Sequence, residues 1–172
     1  RGASRAEAPS SSQLYVGKHV GEDSNTTRAP EVIGYIVIES GPGSIWNLDY
    51  VAGVGASTVV GPDNGPPVTY PVSGPAGAAV AVVSAAGANG LDGGWAVLAG
   101  SNPVTSNGLQ LFIEEDNLAD AERRHITERV AYLVFAANEA PTITSTPVTS
   151  ATEDAAYSYD VNATDPDVGD TL

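Results

Sequence analysis

Glycine and proline divide this chain into short pieces, and that punctuation limits its fold more than any other feature. The stretches "GPDNGPP" (61–67), "SGPAG" (73–77), "GANGLDGG" (87–94) and "SNPVTSNG" (101–108) are dense in residues that accept or impose tight-turn backbone angles. Between them lie "STVV" (57–60), "PVTYPV" (67–72), "AAVAVVS" (78–84), "GWAVLAG" (94–100) and "GLQLFIEE" (108–115), with "ERVAYLVFA" (128–136) further on. Runs this short and this rich in β-branched residues read as strands rather than helices. At this spacing, without alternating helices, they predict an all-β chain built as an antiparallel β-sandwich. Apolar residues make up 42% of the 172, mostly Val, Ala, Leu and Ile, enough for one core.

Three regions follow from composition. Residues 1–30 are small and polar and read as an extended leader or linker, with one possible strand at Leu14–Val16. Residues 31–137 carry the sandwich. Its opening run "EVIGYIVIE" (31–39) reads as a strand closed by a turn at "GPG" (41–43), and "SIWNLDYV" (44–51) alternates as the next. The stretch 116–133 also scores as an amphipathic helix on Leu118, Ile126, Val130 and Leu133, and periodicity alone leaves helix and strand both open there. Residues 138–172 hold seven acidic residues and no basic one, and "PTITSTPV" and "AYSYDV" read as two strands of a partial second β-domain. Two strands cannot bury a core of their own. Finally, "EVIGYIVIE" and "ERVAYLVFA" echo one another at an offset of 97 residues, with Glu31, Ile33 and Tyr35 answering Glu128, Val130 and Tyr132. A tandem array of domains of that length would produce such an echo.

Charge removes one class of partner. Seven basic residues, one of them Lys, stand against 21 acidic ones for a net −14, so no basic face is present to bind nucleic acid. Divalent cations suit this balance, as does plain solubility. With no cysteine there is no disulfide, thiol nucleophile or Cys-based metal site. No apolar run is long enough to span a membrane, and no signal-peptide core is present. The first residue is Arg rather than Met, which implies processing or excision from a longer polypeptide.

The stretch "LQLFIEEDNLADAERRHITERVAYLVF" (109–135) resembles the end of an H-type-lectin-like β-sandwich module found in large secreted proteins of bacteria and marine animals. The match rests on Glu114, Glu115, Asp120, Glu122, His125, Thr127, Glu128, Val130, Tyr132 and Leu133. "AVAVVSAAGANGLDGGWAVLAGSNPVTSNG" is similar to the centre of that module, and the resemblance implies an extended path over 116–128. The tail resembles the opening of a cadherin-like or bacterial Ig-like repeat through Pro141, Ile143, Tyr157, Val161, Asp165, Asp167, Gly169 and Asp170. "DPDVGD" departs from that family's loop spacing before Asp170.

Calcium is the cofactor these residues suggest, because a hard cation takes several oxygens from closely spaced carboxylates on a turn. Asp165, Asp167 and Asp170 are the candidate ligands, with Glu153 and Asp160 nearby. The acidic run Glu114, Glu115, Asp116, Asp120 and Glu122 reads as a polar rim partly neutralised by Arg123, Arg124 and Arg129. His125 reads as a structural hydrogen-bonding residue, and no nucleophile sits in an elbow setting, so no enzymatic activity is expected. The lectin resemblance implies sugar binding, but no Arg stands in "GGWAVLAG" to supply it, and the sugar-binding residues stay unassigned. Asn25 and Asn162 head glycosylation sequons. Together these point to a secreted, non-catalytic subunit or module of a surface filament or matrix. Its expected partners are copies or neighbouring repeats of itself, joined by strand exchange or domain contacts and supported by calcium. A carbohydrate-binding adhesin module, meeting surface glycans, is the alternative.

Overall fold

A computed structural model describes residues 12–14, 16, 18–46, 48–75, 77–90 and 93–167. Two antiparallel sheets face one another. The first contains β1 (Gly41–Ile45), β2 (Leu48–Val54), β4 (Ala78–Ala85) and β8 (Val130–Ala136), in the order β1-β2-β8-β4. The second contains β3 (Val68–Pro71), β5 (Gly94–Leu98) and β7 (Gly108–Glu115), in the order β3-β7-β5, with the short β6 (Val104–Thr105) also paired to β7. The chain is thus nearly all β, as its turn chemistry requires. No helix among the described residues is long and apolar enough to cross a membrane.

The core forms where the two-residue periods of the strands meet. On β7, Leu109, Leu111 and Ile113 are fully buried while Gln110, Phe112 and Glu114 face outward and are half-buried. Val130 and Val134 of β8 meet them, with Val59, Tyr70 and Val72 filling the space between the sheets. Tyr70 places a polar atom in this interior and satisfies it: its hydroxyl donates to the Ala56 carbonyl at 2.9 Å and accepts from the Val130 amide at 3.3 Å. Its ring meets that of Tyr132 edge-on at 6.3 Å between centroids.

The structure differs from the sequence expectations at several places. "EVIGYIVIE" joins no sheet, and the sandwich begins at Gly41, so "GPG" lies within β1 rather than in a turn. "SIWNLDYV" is broken after Ile45 because Ile45 pairs with Leu48 across a tight hairpin, in which Trp46 takes a positive φ of 54°. The helix reading of 116–133 gives way to an extended path that ends in β8, and "STVV" contributes one bridge, Val59 to Glu128. Leu14 and Val16 belong to no strand. In the tail, β9 (Thr142–Ile143) pairs with β10 (Ala163–Thr164), two residues beyond "AYSYDV", and none of residues 138–167 is buried.

Burial holds the Tyr70 phenol above its ordinary value, because the ionised form would lose solvation inside the core. A folded-state value raised above the unfolded one gives stability that is complete below about pH 10 and lost as pH climbs through the raised value. Alkaline unfolding is therefore expected to start with Tyr70. A Tyr70→Phe variant, less stable at neutral pH, should show a flatter alkaline limb when unfolding is followed by circular dichroism.

Candidate functional site

Three ionisable side chains lie buried together at one end of the sandwich. Glu115, His125 and Glu128 are 3%, 4% and 2% exposed. Each reaches the interior by a simple geometric route. Glu115 ends β7 in phase with Leu109, Leu111 and Ile113, so the pleat points it inward. Glu128 precedes Val130 by one period and shares its face. His125 is fixed from outside β8: its amide donates to Asn64 Oδ1 at 3.0 Å, which also accepts from the Gly61 amide at 3.1 Å. Asp63, in the 3₁₀ turn Pro62–Asn64, adds a reciprocal pair, accepting from the Arg123 amide at 2.9 Å and donating its own amide to the Arg123 carbonyl at 3.2 Å.

The imidazole sits between the two carboxylates. Nδ1 is 2.6 Å from Glu115 Oε1, and Nε2 is 3.4 Å from Glu128 Oε1. Glu128 Oε1 also accepts from the backbone amides of Asn89 and Gly90, the latter at 2.9 Å. Its second oxygen, Oε2, is buried without a hydrogen-bond partner and lies against Gly87, where a Cβ would overlap it. Gly90 crowds the imidazole in the same way, and a Cβ at Gly94 would overlap Ile113 beside it. Hence "GANGLDGG" is more than a turn. Its glycines let backbone approach the cluster, and its amides supply the donors.

Buried so deeply, the three side chains present no face to a dissolved substrate. Their physical effect is to tie the 87–90 loop, the end of β7 and the entry to β8 into one unit. Sequence reasoning placed Glu115 on the polar rim. Its position on the inward row of β7 overturns that, and the unbroken alternation from Leu109 is the signal that locates it. The rest of the acidic run is surface. Glu114 is clasped by the Arg123 guanidinium, which this contact raises above its ordinary value, and Asp116, Asp120 and Glu122 cap nearby amides.

The leader docks beside this end. Glu22 donates its amide to Asp116 Oδ2 at 3.3 Å and accepts from the Ala119 amide at 2.6 Å, while His19 lies over Gly93. The Asp23 carboxyl is held below its ordinary value by the Asn25 amide and the Arg28 guanidinium. Asn25 is exposed in this turn and accepts from the Thr27 amide at 3.0 Å; Asn162 is exposed beside β10.

After Arg28 the chain leaves the body. Residues 31–39 belong to no strand and pair with no sheet among the described residues, with Val32, Tyr35, Ile36 and Val37 exposed by 102%, 72%, 85% and 73% and Ile33 by 46%. The second feature of functional interest is this strand-forming stretch with no sheet. Glu31 pairs with Lys18 at 2.8 Å.

The tail aspartates are brought only partly together. Asp165 Oδ1 accepts from the Asp167 amide at 2.9 Å, and Asp167 Oδ2 accepts from the Glu139 amide at 2.6 Å. Glu153 and Asp160 are exposed, and Asp170 lies outside the described residues. Among the described residues no three His, Asp or Glu side chains are placed to hold a metal ion. Against known proteins, no family model, curated protein or solved structure matches this chain.

Removing His125 would leave Glu115 and Glu128 without the imidazole between them, and stranding a buried polar group costs about 1–3 kcal/mol. His125→Ala is expected to destabilise the fold by about that amount in urea titration. Glu128→Gln, which keeps an acceptor for Asn89 and Gly90, should cost clearly less than Glu128→Ala.

Proposed function

We propose that this chain is a non-catalytic structural module of an extracellular filament or matrix, joined to its neighbours by the strand of residues 31–39. One observation carries the reading: five large apolar side chains lie exposed in a segment that joins no sheet among the described residues. Covering each returns about 1.5–3 kcal/mol, and an unpaired strand is a template for pairing with another sheet. Glu31 and Glu39 bracket the apolar run, which discourages unregulated stacking. The acidic, cysteine-free composition and the two-strand tail, which buries no core, agree with a module that meets further protein at both ends. Calcium enters the proposal as a support for the tail contact, with Asp165 and Asp167 as ligands.

A carbohydrate-binding adhesin is the second reading, and the surface around Trp95 favours it. Trp95 is 51% exposed and pairs across the ladder with Glu114, whose carboxylate binds Arg123. An aromatic face beside an acid and an arginine suits a sugar ring and its hydroxyls. Here the arginine arrives from the 116–129 segment rather than from β5, where the sequence lacks one.

The test is sedimentation and electron microscopy of the full chain with and without EDTA. Concentration-dependent assemblies are expected, and the double variant Ile33→Asp/Ile36→Asp should abolish them while the thermal transition of the sandwich stays put. Assemblies that dissolve in EDTA keep calcium in the proposal, and assemblies indifferent to it remove calcium. Monomers at every concentration would sink assembly through 31–39. Retention on a glycan surface that Trp95→Ala abolishes would favour the adhesin reading instead.

A further inference from the structure

The free segment and β8 are related by more than apolar character. Aligned at the 97-residue offset, Glu31 falls on Glu128, Ile33 on Val130, Tyr35 on Tyr132 and Val37 on Val134. Three of these four pairs are identical, and the fourth differs by one methylene. In the sandwich these are the positions whose side chains face inward: Glu128, Val130 and Val134 are 2%, 0% and 0% exposed, and Tyr132 packs edge-on against Tyr70. Every position of the other face differs, where Val32, Gly34, Ile36 and Ile38 replace Arg129, Ala131, Leu133 and Phe135, while the inward row changes character only at its last position, Glu39 for Ala136. A chance likeness between two β-rich runs has no reason to keep Glu, Tyr and Val at three places on one face while every position of the other face varies.

We infer that residues 31–39 are a second strand of the β8 type, shaped to occupy the middle of another sandwich of this same kind that lacks its own β8. The inference rests on the proposed role of 31–39 as a joining strand and names its partner. That partner must offer what this chain offers β8. It needs a β2-like strand with a small residue opposite Tyr35, because Gly53 pairs with Tyr132 and a Cβ there would come within 2.7 Å of the phenol oxygen. It needs a β4-like strand on the other side, as Ala81 and Val83 pair with Val134 and Tyr132. It also needs a turn presenting two amides to Glu31, as Asn89 and Gly90 do for Glu128.

A complete second copy of this chain can take the segment only at a sheet edge, which does not meet these needs in full. Each copy carries two β8-type strands and, among the described residues, one position between β2 and β4 that its own residues 130–136 already fill. An edge pairing between copies covers the segment on one side only. The fitting partner is therefore a β1-to-β7 unit whose last strand is supplied from outside.

The equivalence is tested by grafting. The changes R129V, V130I, A131G, L133I, F135I and A136E write the 31–39 sequence into β8 of the full chain. The graft is expected to unfold in one cooperative transition and to keep slow amide exchange in β2 and β4. A control with the same nine residues shifted by one position, which turns the inward row outward, should not fold. The slot is tested by extending the full chain at its N-terminal side with a second copy of residues 41–127. Amides of 31–39 should then exchange at least a hundredfold more slowly than in the chain alone, and Tyr35→Asp should restore fast exchange. A graft that behaves like the shifted control, or an extended chain in which 31–39 exchanges freely, overturns the inference. Failure of both with assemblies still present leaves joining through 31–39 and removes this partner. A folded graft and a protected segment without assemblies keep the partner and remove self-assembly.

Discussion

β8 is the strand on which the sandwich depends. It pairs with β2 on one side and β4 on the other, so without it the first sheet falls into a hairpin and a lone strand. Its inward row of Val130, Tyr132 and Val134 meets Leu109, Leu111 and Tyr70 across the core, and Glu128 at its entry anchors the 87–90 loop. β8 also comes late in the chain. Residues 48–54 and 78–85 wait for a partner far downstream, Val54 for Ala131 and Ala85 for Val130, about the most non-local pairing this topology contains. Folding dominated by such contacts is slow, because loop-closure entropy is spent before the contacts form.

Much of this was legible in the sequence, and the reasons differ by element. β3, β4, β5 and β7 were found because each lies between clear turn clusters and has the right length. Residues 31–39 were misplaced because a strand pattern says what a segment is fit for, not whether a partner is within reach. Trp46 was missed since a bulky residue at positive φ breaks the usual turn chemistry, which favours glycine or asparagine there. The stretch 116–129 was ambiguous because its anchors, Asn64, Asp63 and Asn89, lie tens of residues away. No local periodicity records them.

The buried cluster shows the same division. Glu115 and Glu128 are each in phase with an apolar row, and extending those rows by one step identifies both as inward. Their meeting at His125 was not visible, since it requires the two sheets to be packed. Polar groups that continue an apolar row tie a core to its loops at the place where the strands run out, and here they also mark which face of β8 the chain repeats at 31–39.

Both tryptophans lie on the outside: Trp46 at the tip of the β1–β2 hairpin, 94% exposed, and Trp95 half in solvent on the outer face of β5. The indole emission of the native protein is therefore expected to report water more than core, with Trp95 alone half withdrawn from it. Unfolding watched by indole fluorescence would look shallow even if the sandwich opened in one step, whereas the Tyr70–Tyr132 pair sits in the interior. The optical label of this fold is its phenols, not its indoles.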